Sequence, residues 1–551
     1  MSILDLIILA LYFTIILWIA KWASSKGNDS NFSSVEYFLA GKSQSWLLVG
    51  TSLFASNIGS EIILGVSGAG ARAEMPMANF EMLASLILIL LGWFFVPFYL
   101  RTGVFTMPEF LEKRYSKASR NYLSVVSLLA YIVTKISLII FAGALVFEVL
   151  GIPFWTGAII TVVATGFYTV LGGLKSVIYT DMIQAFFLLF GTLGITLFGL
   201  YQIGGWGELM SILENAGQNA SNPQPSEFFN LWRPHADSQY PWTGMLFGAP
   251  ILGIWYWCTD QYIVQRVLSA KNIDHARKGA LFAGYLKLLP VFIFFLPGVI
   301  AYALMQEGVI NFSMSNADQA LPTLITEFLP GGLRGLAIAG LLAALMSSLS
   351  SAFNSSSTLL TIDFYQKFRP EATESELVKF GRLATGLLVI VSLGWIPFME
   401  KLMGGGIFLY LQSVQAYISP PIAAVFVLGL TIKWVNSRAA IVTLWTGFIV
   451  GLTRLILEFT TKNGTIAASE GSFIHQFVNI NFLHFAFLLF VFCSIILIAI
   501  SKATSNTTTN DEQITFQSGA ASYPKSDVWL TVFLIISVLG LWLIFSPFGI
   551  G

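Results

Sequence analysis

Fourteen apolar stretches, each long enough to cross a bilayer as a helix, recur from one end of this chain to the other. A span needs roughly 20 such residues, because the hydrocarbon core is about 30 Å thick and a helix rises about 1.5 Å per residue. The stretches lie near 3–22, 46–70, 78–100, 121–150, 154–172, 178–203, 242–266, 279–306, 332–360, 380–398, 405–431, 438–459, 474–500 and 528–548. Backbone amides find no water in hydrocarbon, so each stretch is expected to be a helix and the fold an all-α polytopic membrane protein. The charged fraction agrees: it is 11%, against roughly a quarter in a soluble domain.

Twenty-nine basic residues balance 29 acidic ones, which leaves no electrostatic footprint for nucleic acid. The two cysteines, Cys258 and Cys493, sit in apolar stretches, and the four histidines show no ligand spacing. Segment 3–20 has neither a basic leading region nor a small-residue cleavage site, so it reads as a retained span. The longest loop, 204–241, is short, which leaves no large extramembrane domain and no evident obligate protein partner.

Loop charges set an expected orientation. Arg101, Lys113, Arg114, Lys117 and Arg120 follow the third stretch, Lys271, Arg277 and Lys278 the seventh, and Lys367, Arg369 and Lys379 the ninth. Loop 204–241 has only Arg233, and 307–329 has no basic residue. The positive-inside rule then places both termini outside the cytoplasm of a plasma (inner) membrane. The polar stretch 503–526 reads as a flexible cytoplasmic linker.

Two stretches are interrupted by polar and helix-breaking residues. The second carries Ser52, Asn57, Gly59, Ser60 and Glu61; the seventh carries Gly248, Pro250, Gly253, Thr259, Asp260 and Gln261. Ordinary Gly/Pro kinks produce such interruptions too. They stand five spans apart, and carriers built from inverted repeats place broken helices at matching positions, with the ligand between them. The expected organisation is a peripheral helix and loop at 1–45, a first repeat at 46–203, an extracytoplasmic loop at 204–241, a second repeat at 242–433 and peripheral helices at 434–551.

In the ninth stretch, Ala344, Ser347 and Ser348 share one helix face, which Ser350, Ser351 and Asn354 extend. Serine hydroxyls, with carbonyls freed by an unwound turn at 55–58, suit a sodium ion; small residues also serve plain helix packing. Four ionisable groups are read as lying within spans: Glu81, Asp181, Asp260 and Lys287. Each costs a few kcal/mol unless paired or wetted, although Glu81 also reads as a solvated helix end. Tyr256 and Trp257 beside the break would supply an aromatic wall, and Asn57, Glu81, Lys287 and Gln412 the hydrogen-bonding groups, of a sugar-type site.

From about Tyr37 to Lys433 the sequence resembles the sodium/solute symporters, and within them the sodium/glucose cotransporters. The resemblance rests on Tyr37-Phe-Leu-Ala-Gly-Lys42, Ala55-Ser-Asn-Ile-Gly-Ser60, Tyr168-Thr-Val-Leu-Gly-Gly-Leu-Lys-Ser176, Tyr179-Thr-Asp181, Trp255-Tyr-Trp-Cys-Thr-Asp-Gln261, Val264-Gln-Arg266, Tyr285-Leu-Lys287, Ser347-Ser348 and Phe353-Asn-Ser355. It implies 14 helices around a LeuT-like five-plus-five inverted-repeat core with helices 2 and 7 broken. It implies sodium held by the carbonyls of Ala55, Ile58 and Ala344 and the hydroxyls of Ser347 and Ser348, with a second sodium at Asp181, Ser351 and Ser56. It also implies a sugar site at Asn57, Glu81, Tyr256, Trp257, Lys287 and Gln412, with Tyr256 as the inner gate.

Four positions depart from the glucose or galactose carriers: Ile62 replaces a histidine or glutamine, Gly253 a threonine or asparagine, Gln415 a threonine, and Met82 a tryptophan. The resemblance therefore implies sodium-coupled uptake of a sugar by alternating access. The other expected solutes are an inositol or polyol, an amino sugar, sialic acid or a carboxylate, and an uncoupled sensor is the remaining class. No Walker-type phosphate loop appears, and no nucleophile–base pair or metal cluster points to an enzyme.

Overall fold

The computed structural model describes residues 1–25, 33–149, 151–219, 221–402, 407–462, 469–504 and 524–551. Most of the linker expected at 503–526 lies outside them. The described residues are helical throughout, save loops and two isolated bridges, Gln44 to Ala270 and Arg233 to Pro241. Among the described residues, eleven helices are long and apolar enough to cross a membrane, or 12 if one bent pair counts as a single span.

That bent pair is the second stretch. Trp46–Asn57 and Ser60–Ala71 meet at 63°. Residues stay helical through Asn57, so the break falls at Ile58 and Gly59, later than the turn expected at 55–58. The seventh stretch is segmented: Trp242–Phe247, Ala249–Gly253, a π turn over Ile254–Thr259 and Gln261–Leu268. Asp260 is extended (φ −82, ψ 127), and its side chain accepts from the Tyr262 amide, capping the last piece.

The fifth and sixth stretches form one helical run, Phe154–Ile203, of 50 residues. At about 1.5 Å per residue it would be more than twice the bilayer core. Gly173 divides it with φ 56 and ψ −155, a conformation open only to glycine, and a Cβ there would strike the Tyr37 carbonyl. The eighth stretch starts earlier than expected, at Ile273, because its charged first turns pair internally: Asp274 lies 2.8 Å from Arg277 and 2.9 Å from Lys278. Its helix stops at Leu286, so Lys287 sits at an interruption that hydropathy did not reveal. The thirteenth stretch is likewise two helices, Phe473–Asn479 and Phe482–Ala503.

The ninth span, Leu333–Phe368, is the axis: 94% of its apolar window is buried, against 17% for Lys525–Ile544 and 22% for Ile3–Ala23. Small residues allow this. A Cβ on Gly340 would lie 2.9 Å from the Phe187 carbonyl oxygen, and one on Gly191 2.8 Å from that of Leu336, so the ninth and sixth spans touch backbone to backbone. Trp46–Asn57 packs against Gln261–Leu268 of the seventh stretch and against the ninth span, which brings both interrupted stretches and the serine face together.

Candidate functional site

Helices two, three, four, seven and eleven line a small, partly open cavity of about 70 Å³. Five of the six residues expected to bind solute line it: Asn57, Glu81, Tyr256, Trp257 and Gln412. The sixth, Lys287, is fully buried behind them, and its Nζ donates to Asn57 Oδ1 and Glu81 Oε2. Asn57 Nδ2 in turn donates to the Tyr256 hydroxyl at 3.0 Å. The Trp257 ring stands edge-on to Tyr256 with centroids 5.2 Å apart, and Lys287 Nζ lies 5.3 Å from its centre. Glu81 is thus no solvated helix end; it is 4% exposed and ion-paired. The result is a polar floor beside an aromatic wall, in a cavity that Ile62, Leu83, Ala84, Ile87, Leu252 and Leu411 also line.

Three of the four departures reach this space: Ile62, Gly253 and Gln415 line the cavity, while Met82 is buried and does not.

The break in the second span frees carbonyls. The Gly59 amide bonds to the Asn57 carbonyl at 3.0 Å, and the Ile62 amide to that of Gly59 at 3.1 Å. Neither closes the helical bond onto Ala55 or Ile58, so both oxygens are released from the backbone ladder. Ser348 Oγ donates to the Ser56 carbonyl at 3.0 Å, which places the ninth span directly against this turn. Tyr262 from the seventh stretch donates to the same Ser56 carbonyl and, at 3.1 Å, to that of Ser348. Ala344, one turn before Ser348, is buried on the same helix. Oxygen donors from two helices suit a hard monovalent cation.

The second expected set adjoins the first. Asp181 accepts from Ser52 (2.5 Å), Ser56 (3.3 Å) and Ser347 (2.8 Å), and Ser56 Oγ lies 2.8 Å from Ser351 Oγ. Ser347 therefore turns to Asp181 rather than to the carbonyls of the break. Arg266 Nε donates to Ser56 Oγ at 3.1 Å.

Four intramembrane ionisable groups prove too few. Glu61, Lys135 and Arg266 are also buried, Lys135 and Glu61 line the cavity, and Lys135 Nζ lies 2.7 Å from Asp260 Oδ2. Lys135 was visible as the one lysine inside the apolar stretch 121–150. Tyr262 carried no such signal, because one aromatic among many in a greasy chain does not stand out.

The chain as a whole is similar to known proteins. The chain is 40% identical over 525 residues to sodium/glucose cotransporter 1 of Ovis aries, covering 91% of this chain and 78% of that protein. It is 38% identical over 521 residues to sodium/glucose cotransporter 4 of Danio rerio, covering 91% and 79%. A solved Na+-coupled sialic acid symporter in a substrate-bound outward-open state superposes with a TM-score of 0.76 at 21% identity, covering 91% of this chain and 98% of that one, which shows a shared fold. The family model for sodium:solute symporters matches residues 37–447. The chain belongs to the sodium:solute symporter family, and is an integral multi-pass membrane carrier that moves a solute together with sodium rather than an enzyme.

Proposed function

We propose that this carrier couples inward sodium movement to uptake of a hexose-like sugar. The observation that carries the reading is the floor made by Lys287, Asn57, Glu81 and Tyr256 beside Trp257 and Gln412. Sugars offer apolar C–H faces and a rim of hydroxyls, so a flat aromatic and fixed donors and acceptors complement both. The relatives named above are sodium/glucose cotransporters.

In this reading sodium is co-substrate, held by the carbonyls of Ala55, Ile58 and Ala344 and the hydroxyls of Ser347 and Ser348. Asp181, Ser351 and Ser56 take a second sodium. Tyr256, hydrogen-bonded to Asn57, is the inner gate. Sodium holds the turn at Ile58 and Gly59 against the ninth span, and the same turn presents Asn57 to the sugar. Each ligand then favours the state the other prefers, and the coupling is reciprocal. One charge moving with the membrane potential contributes about 2.3 kcal/mol per 100 mV.

The architecture proposed for this cycle is 14 spans with a five-plus-five inverted repeat. Residues 46–203 and 242–433 form the repeats, 204–241 an extracytoplasmic loop, and 1–45 and 434–551 the periphery, with both termini extracytoplasmic. Dividing Phe154–Ile203 at Gly173 and counting the segmented seventh stretch supports the count.

The test is uptake of labelled D-glucose into proteoliposomes under an inward sodium gradient, against myo-inositol, glucosamine, sialic acid and a carboxylate. Concentrative, sodium-dependent glucose uptake is expected. Sugar-evoked current without accumulation would mark a sensor instead. The apolar Ile62 and Gly253 in the wall favour the second reading, a different small polar solute, and the same panel decides it.

A further inference from the structure

Among the described residues, three charged side chains line the cavity. Two have partners: Glu81 is paired with Lys287, and Lys135 with Asp260. The third, Glu61, is 6% exposed, and among the described residues its Oε2 has no hydrogen-bond partner and the residue no ion pair. A buried carboxylate oxygen left unpaired is costly, so it marks a place where a donor is missing from the protein itself.

The position is built rather than incidental. Glu61 stands in the first turn of Ser60–Ala71, just beyond the break, and its carboxylate folds over Gly59, where any Cβ would collide with it. Lys135, Tyr256 and Tyr262 line the same cavity and lie near Glu61, yet among the described residues none of them bonds its Oε2. Its unpartnered Oε2 is an acceptor available to a molecule bound in the cavity.

We propose that Glu61 is a specificity-determining residue of the solute site: Oε2 accepts a hydrogen bond from one solute hydroxyl. The assignment rests on the sugar reading above. A carboxylate accepts but does not donate, so it demands a donor at that one position. A site with a buried polar group rejects an analogue that leaves the group unpaired far more strongly than it rejects a change in apolar bulk.

The test uses the full-length carrier in proteoliposomes with a sodium gradient. Uptake KM is measured for D-glucose and for its deoxy and deoxyfluoro analogues at each hydroxyl position, in the parent, E61A and E61Q. In the parent, the hydroxyl that Glu61 reads is expected to lose about tenfold or more in both analogues, because neither can donate. E61A abolishes that penalty at that position alone. E61Q, close in shape and still an acceptor through its amide oxygen, keeps part of it, and it serves where E61A folds poorly. A change confined to one hydroxyl is a readout that general loosening of the helix would not give. Unchanged discrimination at every position in both variants overturns the assignment to Glu61 and leaves the sugar reading intact. No sodium-dependent uptake of any of these sugars by the parent overturns the sugar reading and the assignment with it.

Discussion

Lys135 Nζ lies 2.7 Å from Asp260 Oδ2, and this pair ties a π turn of the fourth span to the restart of the seventh. Tyr131 donates to the other Asp260 oxygen, and the ammonium sits 3.8 Å from the centre of the Tyr262 ring and 4.3 Å from that of Tyr256. Tyr262 is the residue that reaches the Ser56 and Ser348 carbonyls. One buried ion pair thus connects the wall of the cavity to the oxygen-lined turn beside it.

Breaking that pair should be expensive, because the survivor is a buried charge without a counter-ion. Asp260→Asn keeps an N-cap while removing the charge, and Lys135→Met keeps the bulk. Each is expected to cost about 3–5 kcal/mol, and the double variant much less than the sum. Denaturation of the four proteins in detergent gives the cycle; additive losses would show that the two charges do not sense each other.

Ser348 Oγ bonds the Ser56 carbonyl, so Ser348→Ala removes a link between the ninth span and the broken turn as well as a sodium ligand of the proposed site. The expected outcome is a rise of about tenfold or more in the sodium concentration for half-maximal uptake, with protein yield retained. A tenfold change corresponds to about 1.4 kcal/mol, within the range of one lost hydrogen bond to a charged group. Sodium-dependent uptake identical to the parent would remove Ser348 from the cation site.

Much of this molecule is legible in its sequence. Apolar runs locate the spans because the bilayer forbids unpaired backbone, and Asn57, Gly59, Pro250 and Asp260 mark the interruptions because they break a greasy pattern. What escaped has physical causes. The division at Gly173 is not among these, since it falls where the sequence separates stretch 154–172 from stretch 178–203. Asp274, Arg277 and Lys278 read as loop because a hydropathy window cannot see that they neutralise one another on a helix. The Lys135–Asp260 and Lys287–Glu81 pairs join residues 125 and 206 positions apart, and no local pattern announces such partners. Ser347 and Asp181, expected in two separate ligand sets, bond directly at 2.8 Å, a relation that only the packing of the sixth span on the ninth creates.

At the loop between the third and fourth spans, Glu112 lies 2.5 Å from Arg120 and 2.8 Å from Lys367. Burial pushes its carboxyl upward, but the hydrogen bonds from Lys367 and Arg120 outweigh that and hold it below the usual carboxylate range. A depressed folded value stabilises the fold above the unfolded value, about 4.3, and that contribution disappears as pH falls through the folded one. Lys367 is well exposed, so solvent screening limits the effect to about 1 kcal/mol or less. Parent and Glu112→Gln should therefore differ in melting temperature near neutral pH and converge in acid; a gap that widens on acidification would contradict the sign.

Lys287 and Glu81 offer the sharpest separation of folding from transport. Lys287→Met strands Glu81, and Glu81→Gln leaves an ammonium with Asn57 Oδ1 and the Trp257 ring but no counter-ion, so each single variant is expected to lose about 3–5 kcal/mol of stability. The double variant replaces the pair by neutral groups of similar size and should regain most of that loss. Transport should not return with it. The proposed floor needs a charged donor and a charged acceptor to meet the hydroxyl rim of the solute, so sodium-driven uptake in the double variant is expected to stay about a hundredfold or more below the parent. If uptake recovers in step with the melting temperature, the pair serves only the fold, and the solute contacts must be sought among Gln412, Gln415 and Trp257 instead.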